Sequence, residues 1–406
     1  MRIAPLLAAA FFAVSASGAQ ALDISDDLTI TGYGDLRSVA AAGPTSWLKG
    51  GLGKFRYGNG GTHLRFAEAV VQADWAISEE WDAVAVLRAE PLTPGVVDAL
   101  EAYLLYTPAS EGAVSWSVKS GAFFPTISLE NDDLGWASPY TLTPSAINSW
   151  IGDELRSIGS EAIMRWKNDV GTLSLIAAVI CCNDEAGILM ADRGWAFGDR
   201  PMGLFERVRL PESARRLRFQ PPYGRTGMFD EIDGSPGWYA GATFQVPGVG
   251  KLSVIRYDNQ ADPYAKTARD TSWGTRFWSA GGRTDIGPVK LIAQAMRGQT
   301  VVAGPTFYAE TKFQSAFLLA NYDLDDWRFS LREDLFATRR PRATNTIWSE
   351  DGDAFTVAVS WSRFEWLRLT GEVIAVHSRR GQYTNAGLGS PNRDDTQVQF
   401  STRFFF

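Results

Sequence analysis

Hydrophobic and polar residues alternate along most of this chain, in segments of about ten residues that are separated by turns. In the segment 81–90, for example, the odd positions are apolar and the even positions include Asp82, Arg88 and Glu90. A period of two residues is typical of β-strands with one face toward an apolar environment and the other toward water. The pattern predicts sixteen strands, which span residues 28–39, 63–75, 81–90, 98–106, 114–123, 155–167, 172–182, 238–246, 252–259, 273–285, 289–300, 312–322, 327–339, 355–363, 366–378 and 396–406.

The connections between these segments are alternately short and long. Short turns such as 78–80 and 168–171 contrast with long insertions at 124–154 and 183–237. A soluble β-sandwich gives the same alternation with its apolar face buried, but asymmetric connections with aromatic residues at one end are typical of a membrane barrel. We therefore expect an all-β fold, a transmembrane antiparallel β-barrel of about 16 strands with long extracellular loops and short periplasmic turns. The aromatic residues beside the short turns are Trp75, Trp81, Trp166, Tyr322, Trp327, Phe364 and Trp366.

The first residues of the chain have the pattern of a secretory leader. Arg2 is followed by an apolar run over 3–14 and by the small residues Ala19-Gln20-Ala21, which form an A-x-A cleavage site. We predict that residues 1–21 are a signal peptide and that residues 22–406 are the barrel. No later stretch has about 18 consecutive apolar residues, so no transmembrane helix is expected after the leader.

The composition excludes several further classes of protein. The chain is 12% aromatic with 15 Trp, which argues against disorder, and its two cysteines exclude a disulfide scaffold. A pI of about 5.1 argues against a nucleic-acid binder. The adjacent Cys181 and Cys182 can be either free or bridged. The two histidines, His63 and His377, lie in no nucleophile motif, so no enzyme, cofactor or metal site is predicted, and an outer-membrane hydrolase is the less favoured alternative.

Several of these features together resemble bacterial outer-membrane porins. They are the leader, the opening strand Thr31-Gly32-Tyr33-Gly34-Asp35-Leu36-Arg37, the sixteen segments, and a C-terminal strand with Phe406 last and apolar Val398, Phe400 and Phe404 before it. Thr402 departs from that apolar series. The stretch 121–125, with Leu129-Glu130-Asn131 soon after it, is similar to the start of the third loop of phosphate-selective porins, although this similarity does not define the solute.

The resemblance implies a function and partners. It implies a porin, a homotrimeric channel for ion transport in the outer membrane of a Gram-negative bacterium, through which small hydrophilic or anionic solutes diffuse passively. It also implies that the barrel-assembly machinery reads Val398, Phe400, Phe404 and Phe406 as its signal. The lipid bilayer and lipopolysaccharide are further expected partners. A purely structural or adhesive barrel is the alternative, and zero conductance in a planar bilayer would identify it.

By position, residues 124–154 are the third loop, which folds into the lumen in the porins that the chain resembles. This loop holds Glu130, Asp132, Asp133, Asp153 and Glu154 but no Lys or Arg. Strand parity places a set of arginines on the lumen wall, where they would face the acidic loop and create a transverse field at the pore constriction. The alternative is that the acids solvate a surface loop while the arginines pair with Asp334 and Glu372. The predicted wall arginines are Arg37, Arg328, Arg332, Arg368 and Arg403.

The fourth loop, 183–237, is too long for a simple connection. It is rich in arginine and in interleaved aromatic residues, so it could recruit anionic solutes, pack against a neighbouring subunit or bind lipopolysaccharide phosphates. It could equally be a cap that packs on itself. With its arginines at the pore mouth we expect a weakly anion-selective channel. These arginines are Arg193, Arg200, Arg207, Arg209, Arg215, Arg216, Arg218 and Arg225.

Overall fold

A computed structural model of the chain describes residues 22–58, 60–91, 97–211, 224–227, 229–268, 270–341 and 347–406. The predicted signal peptide, residues 1–21, lies outside these ranges, as do Arg215, Arg216 and Arg218 of the fourth loop. Among the residues described, no helix is both long enough and apolar enough to cross a membrane.

Sixteen antiparallel strands of the described chain form a closed barrel, as the alternation predicts. Each strand pairs with the next along the barrel, β8 (Thr172–Cys181) pairs with β11 (Gly237–Val246), and β19 (Asn392–Phe405) closes the ring on β2 (Leu28–Ala42). A short strand, β1 (Leu22–Ser25), pairs with β2, and β9 (Val208–Arg209) and β10 (Arg225–Thr226) form a separate ribbon. The barrel strands are β2 (Leu28–Ala42), β3 (Thr62–Ala76), β4 (Trp81–Ala89), β5 (Val97–Tyr106), β6 (Val114–Phe123), β7 (Ser157–Lys167), β8 (Thr172–Cys181), β11 (Gly237–Val246), β12 (Gly250–Asp258), β13 (Gly274–Ile286), β14 (Val289–Gly304), β15 (Phe307–Leu324), β16 (Trp327–Arg339), β17 (Glu350–Phe364), β18 (Leu367–Arg380) and β19 (Asn392–Phe405).

The two ends of the barrel differ in the length of their connections. One end, here called the short-turn end, has turns such as Gly287-Pro288 between β13 and β14. The opposite, long-loop end carries the first loop (43–61), the third loop (124–156) and the fourth loop (182–236). Within the described residues, short helices interrupt three of the long-loop connections, namely α1 (Ala146–Glu154), α2 (Ile188–Arg193) and α3 (Gln382–Asn385), and the first loop contains a 3₁₀ turn at Trp47–Lys49.

Each strand sorts its residues between the two faces of the barrel as its parity predicts. On β16, Leu331 and Leu335 are 48% and 58% exposed on the outer face, whereas Arg332 and Asp334 between them are fully buried. Exposed apolar residues on the outside and polar residues inside are the arrangement of a barrel that faces lipid. Exposed Trp75, Trp81, Trp166 and Trp327 lie beside the short turns.

The long-loop connection between β14 and β15 is shorter than the sequence predicts. β14 and β15 continue to Gly304 and Phe307 and pair along their whole length, so only two residues, Pro305 and Thr306, connect them. The alternation predicts that these strands end at 300 and begin at 312. The β-branched Val301 and Val302 instead extend the strand, and Val302 is buried against the apolar residues of α2.

Candidate functional site in the barrel lumen

The third loop lies inside the barrel and is held there by an apolar core. Trp150 of α1 is 1% exposed, and its ring packs against Phe313 (centroids 4.9 Å apart) and Phe277 (5.5 Å), which point inward from β15 and β13. Ser145 caps α1, because its hydroxyl accepts a hydrogen bond from the Asn148 amide at 3.3 Å. Burial of this helix against aromatic wall residues stabilises the loop within the lumen. A water-filled lumen alone does not require these inward aromatics.

The acidic residues of the third loop contact the arginines of the wall directly. Arg332 Nη1 lies 2.7 Å from Glu130 Oε1, and Arg368 Nη1 lies 3.0 Å from Asp133 Oδ2. The first pair is fully buried, whereas the second is about one-quarter exposed. Four of the predicted site residues are thus brought together as two ion pairs, in contact rather than across an open gap. The transverse-field hypothesis stays a prediction.

The other predicted residues have different partners. Asp132 pairs with Arg283 of β13 at 3.1 Å, an arginine that the sequence analysis did not select. Arg328 pairs at 2.7 Å with Asp323, beside the neighbouring short turn, and donates to the Pro139 carbonyl of the third loop at 2.8 Å.

Asp334 and Glu372, which the alternative interpretation pairs with the wall arginines, have different contacts. Asp334 accepts from Arg332 at 2.7 Å. Glu372 instead accepts from the backbone amides of Leu142 (2.6 Å) and Thr143 (3.0 Å) of the third loop. Both carboxylates therefore fix the loop to the wall.

Arg37 and Arg403 belong to a buried network that reaches the fourth loop. Arg403 lies 3.0 Å from Asp35, and Arg37 pairs with both Asp35 and Asp199. Asp199 comes from the fourth loop, so this loop too enters the lumen. Both arginines are at most 5% exposed, and they connect the wall to the loop rather than line an open passage.

The third and fourth loops also contact each other. Glu154, the last residue of α1, accepts a hydrogen bond from the Leu189 amide at 2.7 Å, and Arg193 pairs with Asp153 at 3.0 Å. The cavity left between the two loops and the wall near Tyr33 is about 10 Å³, which holds one water molecule at most. The fourth-loop residues Arg193 and Arg200 are buried here, although the sequence analysis placed them at the pore mouth.

The first loop supplies lumen charges that the sequence analysis missed. Lys54 contacts Glu350, which also accepts from Arg380 at 3.3 Å, and Arg56 pairs with Glu90 at 2.9 Å. Arg380 shares strand parity with Arg368, so the alternation could have identified it. Nothing in the sequence distinguishes Lys54 or Arg56 from residues of an ordinary surface loop.

A basic pocket of about 550 Å³ lies at the long-loop end, between the first and fourth loops. Arg207, Arg209 and Arg225 of the fourth loop contribute to it, and Glu206 is the one carboxylate among its described lining residues. Arg207 has a weak partner in Asp230, at 3.4 Å with both side chains partly exposed. The pocket therefore carries a strong excess of positive charge. Its other cationic or titratable lining residues are Lys49, Arg56, His63 and Arg65.

The fourth loop begins with a vicinal disulfide between Cys181 and Cys182, which the sequence left open. Close by, Glu185 lies with Asp230 and Asp270 in a group of carboxylates whose oxygens are within 4.8 Å of one another. Burial, reinforced by the charges of Asp230 and Asp270, raises the pKa of Glu185 to about 8. Three clustered carboxylates repel each other unless protons or cations neutralise them.

We predict that the fourth loop becomes less stable as the pH rises. The pKa of Glu185 lies above its ordinary value of 4.5, so the folded loop favours the protonated acid. Its stabilisation is complete below pH of about 4.5 and is lost as the pH rises toward about 8. Amide hydrogen exchange of the loop should be slower at pH 5.5 than at pH 8.5 after correction for intrinsic rates. Glu185→Gln should reduce this difference, and the exposed short-turn substitution Glu365→Gln should not.

The comparisons with known proteins agree with this architecture. No protein-family model matches the sequence, and no curated protein matches it. Similar solved structures include the outer-membrane channel DcaP of Acinetobacter baumannii (10% identity, 96% of this chain and 100% of that chain, TM-score 0.60). An anion-selective porin from Comamonas acidovorans (11%, 93% and 99%, TM-score 0.53) and the trimer form of OmpT from Vibrio cholerae (11%, 94% and 100%, TM-score 0.51) are also similar. The chain therefore has the closed sixteen-stranded barrel fold of bacterial outer-membrane porins.

Proposed function

We propose that this protein is an outer-membrane channel of a Gram-negative bacterium that passes small anionic solutes by passive diffusion. In this proposal residues 1–21 are a signal peptide, residues 22–406 form the barrel, and the long-loop end faces the outside. The porin fold, the exposed apolar residues on the outer wall and the aromatic residues beside the short turns support this assignment.

The basic pocket is the observation that supports an anionic solute. Its lining combines three arginines of the fourth loop with Lys49 and Arg65 against the single carboxylate of Glu206. A concave site of one sign concentrates counter-ions, because low-dielectric walls focus the field into the opening. Anionic solutes would therefore accumulate at the long-loop end before they enter the barrel.

We further propose that partly exposed charges at the short-turn side of the third loop border the pore constriction. Asp132, Asp133, Arg283, Arg328 and Arg368 keep between about one-quarter and one-half of their side chains accessible. They can therefore act on a passing ion. The buried Glu130, Arg332, Arg37 and Arg403 would instead hold the two loops against the wall.

Planar-bilayer recordings under a salt gradient test the proposed selectivity. The unmodified channel is expected to be weakly anion-selective, and changing Arg207, Arg209 and Arg225 together to Gln should shift the reversal potential toward cations. The shift should shrink near 1 M salt, where the screening length is about 3 Å. The matched control changes Lys167, Arg363 and Arg379, three exposed cations away from the pocket, to Gln. An open channel with an unchanged reversal potential in the pocket variant would refute the proposed role of the pocket.

The alternative is a structural or adhesive barrel, which the porin-like neighbours do not favour over a channel. Most of the described residues of the third and fourth loops are buried, and the cavity between the two loops near Tyr33 is about 10 Å³. For the channel to conduct, the loops must move or leave a path elsewhere. The discriminating result is the conductance of correctly folded protein: no current at any voltage would favour the structural barrel.

The proposal includes assembly partners. We propose a homotrimer, in line with the trimer form of OmpT from Vibrio cholerae, and lipopolysaccharide as a partner in the outer leaflet. We also propose that the barrel-assembly machinery reads the C-terminal strand. Phe400 and Val398 are about half exposed on its outer face, and the backbone of Phe406 forms two 3.0 Å hydrogen bonds with Gly32. The proposed signal comprises Val398, Phe400, Phe404 and Phe406.

A further inference from the structure

Three carboxylates from separate parts of the chain meet at the long-loop end of the barrel, and we call them the acidic cluster. Glu185 lies near the start of the fourth loop, Asp230 lies near its end, and Asp270 belongs to the connection between β12 and β13. Each residue offers one oxygen that lies within 4.8 Å of those of the other two. Two oxygens that bind one Ca²⁺ ion at the usual distance of about 2.3–2.6 Å are at most about 5 Å apart. The acidic cluster therefore has the dimensions of a site for one cation.

Two oxygens of the acidic cluster are buried without a hydrogen-bond donor. Glu185 is 2% exposed, and its Oε2 accepts hydrogen bonds from the Thr226 hydroxyl (2.7 Å) and the Gly227 amide (2.8 Å). Its Oε1 accepts none from the residues that the structure describes. The same holds for Asp230 Oδ2, which a Cβ atom added at Gly227 would meet at 2.9 Å. Because a buried carboxylate oxygen without a partner is costly, this pair of oxygens points to a ligand that supplies positive charge.

The basic side chains of the protein do little to neutralise Glu185. In the part of the chain that the structure describes, Glu185 forms no ion pair, and the Arg207 contact of Asp230 is 3.4 Å long with 44% of the arginine side chain exposed. The charges of Asp230 and Asp270 also disfavour the ionised form of Glu185. A divalent cation at this position would reverse that effect and stabilise all three carboxylates.

A neighbouring group of acids differs in this respect. Asp184, Glu231 and Asp233 also bring their oxygens within 4.8 Å of one another. Asp184 Oδ2, however, accepts a hydrogen bond from the Ile232 amide at 2.6 Å, and Glu231 Oε2 accepts one from the Cys182 amide at 3.0 Å. Backbone amides stabilise a carboxylate without an ion. This neighbouring group therefore provides a matched control on the same loop.

We propose that the acidic cluster binds one Ca²⁺ ion through Glu185, Asp230 and Asp270. The cluster offers only carboxylate oxygens, which suit a hard cation, whereas zinc sites are mostly built from cysteine and histidine. Ca²⁺ accepts several carboxylates in irregular geometry, while Mg²⁺ demands a near-ideal octahedron and keeps most of its waters. Extracellular Ca²⁺ modules have a Kd of about 10⁻⁴–10⁻³ M, and we expect the same range here.

The ion would connect segments that also line the basic pocket. Thr226, which donates to Glu185, directly follows the pocket residue Arg225, and the pocket residue Arg207 pairs with Asp230. A cation held by both ends of the fourth loop would therefore restrict the motion of these arginines. The site goes beyond the proposed channel function, because it depends only on the fold of the loop and not on conduction.

Titration of the full-length barrel with Ca²⁺ tests the proposal. The protein is held in detergent at neutral pH, treated with EDTA and kept free of lipopolysaccharide, whose phosphates would themselves bind the cation. Calorimetry should show one bound ion per chain, and Ca²⁺ should slow amide hydrogen exchange around Glu185 and around Asp230. Glu185→Gln should bind Ca²⁺ at least about tenfold more weakly, because it loses a charged ligand. Asp270→Asn should weaken binding in the same way, and the control Glu231→Gln should bind like the unmodified protein.

Each remaining outcome would overturn the proposal. Undiminished Ca²⁺ binding by the folded Glu185→Gln and Asp270→Asn proteins would do so, with the fold verified by heat-dependent mobility in gel electrophoresis. An equal loss in Glu231→Gln would place the ion in the neighbouring group instead. Mg²⁺ binding as tight as that of Ca²⁺ would contradict the assigned cation. Absence of binding by the unmodified protein up to about 10 mM Ca²⁺, well above the expected Kd, would exclude the site altogether.

Discussion

Replacing Arg332 by Met should lower the free energy of unfolding by about 3–5 kcal/mol, because it leaves two buried carboxylates without their cation. Arg332 is fully buried and lies 2.7 Å from both Glu130 and Asp334. Its guanidinium also donates to the carbonyls of Thr143 (2.7 Å) and Pro144 (3.1 Å) of the third loop. The substitution should therefore both destabilise the barrel and release the third loop from the wall. Urea unfolding of the protein in lipid vesicles measures the first effect, and single-channel conductance measures the second.

Arg328→Met is the matched control, on the same strand and the same face. Arg328 pairs with Asp323 at 2.7 Å, but its side chain is 31% exposed and that of Asp323 is 50% exposed. An ion pair in contact with water contributes at most about 1 kcal/mol. Equal destabilisation by the two substitutions would mean that burial of Arg332 does not have the energetic role assigned to it.

Replacing Trp150 by Ala should cost about 3–5 kcal/mol of stability and raise the conductance of the channel. Trp150 is 1% exposed in the apolar core inside the barrel, where it packs on Phe277, Phe313 and Trp195. Removal of the indole leaves a cavity between α1 and the wall. The third loop loses the contact that fixes it in the lumen. Single-channel recordings should show larger or more variable openings than those of the unmodified protein.

Trp75→Ala removes an equal volume from the outer face of the barrel. Trp75 is 52% exposed beside a short turn, so its loss creates no cavity in the lumen. The Trp75→Ala variant should have the same conductance as the unmodified protein. If Trp150→Ala unfolds with the same free energy as Trp75→Ala and conducts identically, the inner aromatic cluster does not hold the loop.

The alternation of residues predicts most of the barrel itself. β6 and β16 begin and end at the predicted residues, since a period-two pattern specifies both where a strand runs and which side chains face inward. Several strands continue past the ends that the alternation predicts. β17, for example, begins at Glu350 rather than at 355, because residues 350–354 pair with both β16 and β18.

The same reasoning from alternation predicts only part of the candidate site. Parity predicts an inner-face position for Arg332 and Arg368, but it does not give their partners, because Glu130 and Asp133 reach them from a loop without periodic pattern. Arg283 was missed although it shares the lumen face. The buried position of Arg200 was missed for a related reason: its partner Glu90 is more than one hundred residues away in the chain.

The sequence by itself therefore determined the number of strands, their order and the face that each side chain takes, because these depend on local alternation and on short turns. Only the tertiary structure decided what fills the barrel. The third and fourth loops fold inward and neutralise wall arginines with Glu130, Asp133 and Asp199. Such contacts depend on the shape of the closed lumen, where burial makes an unpaired charge costly and so selects distant partners.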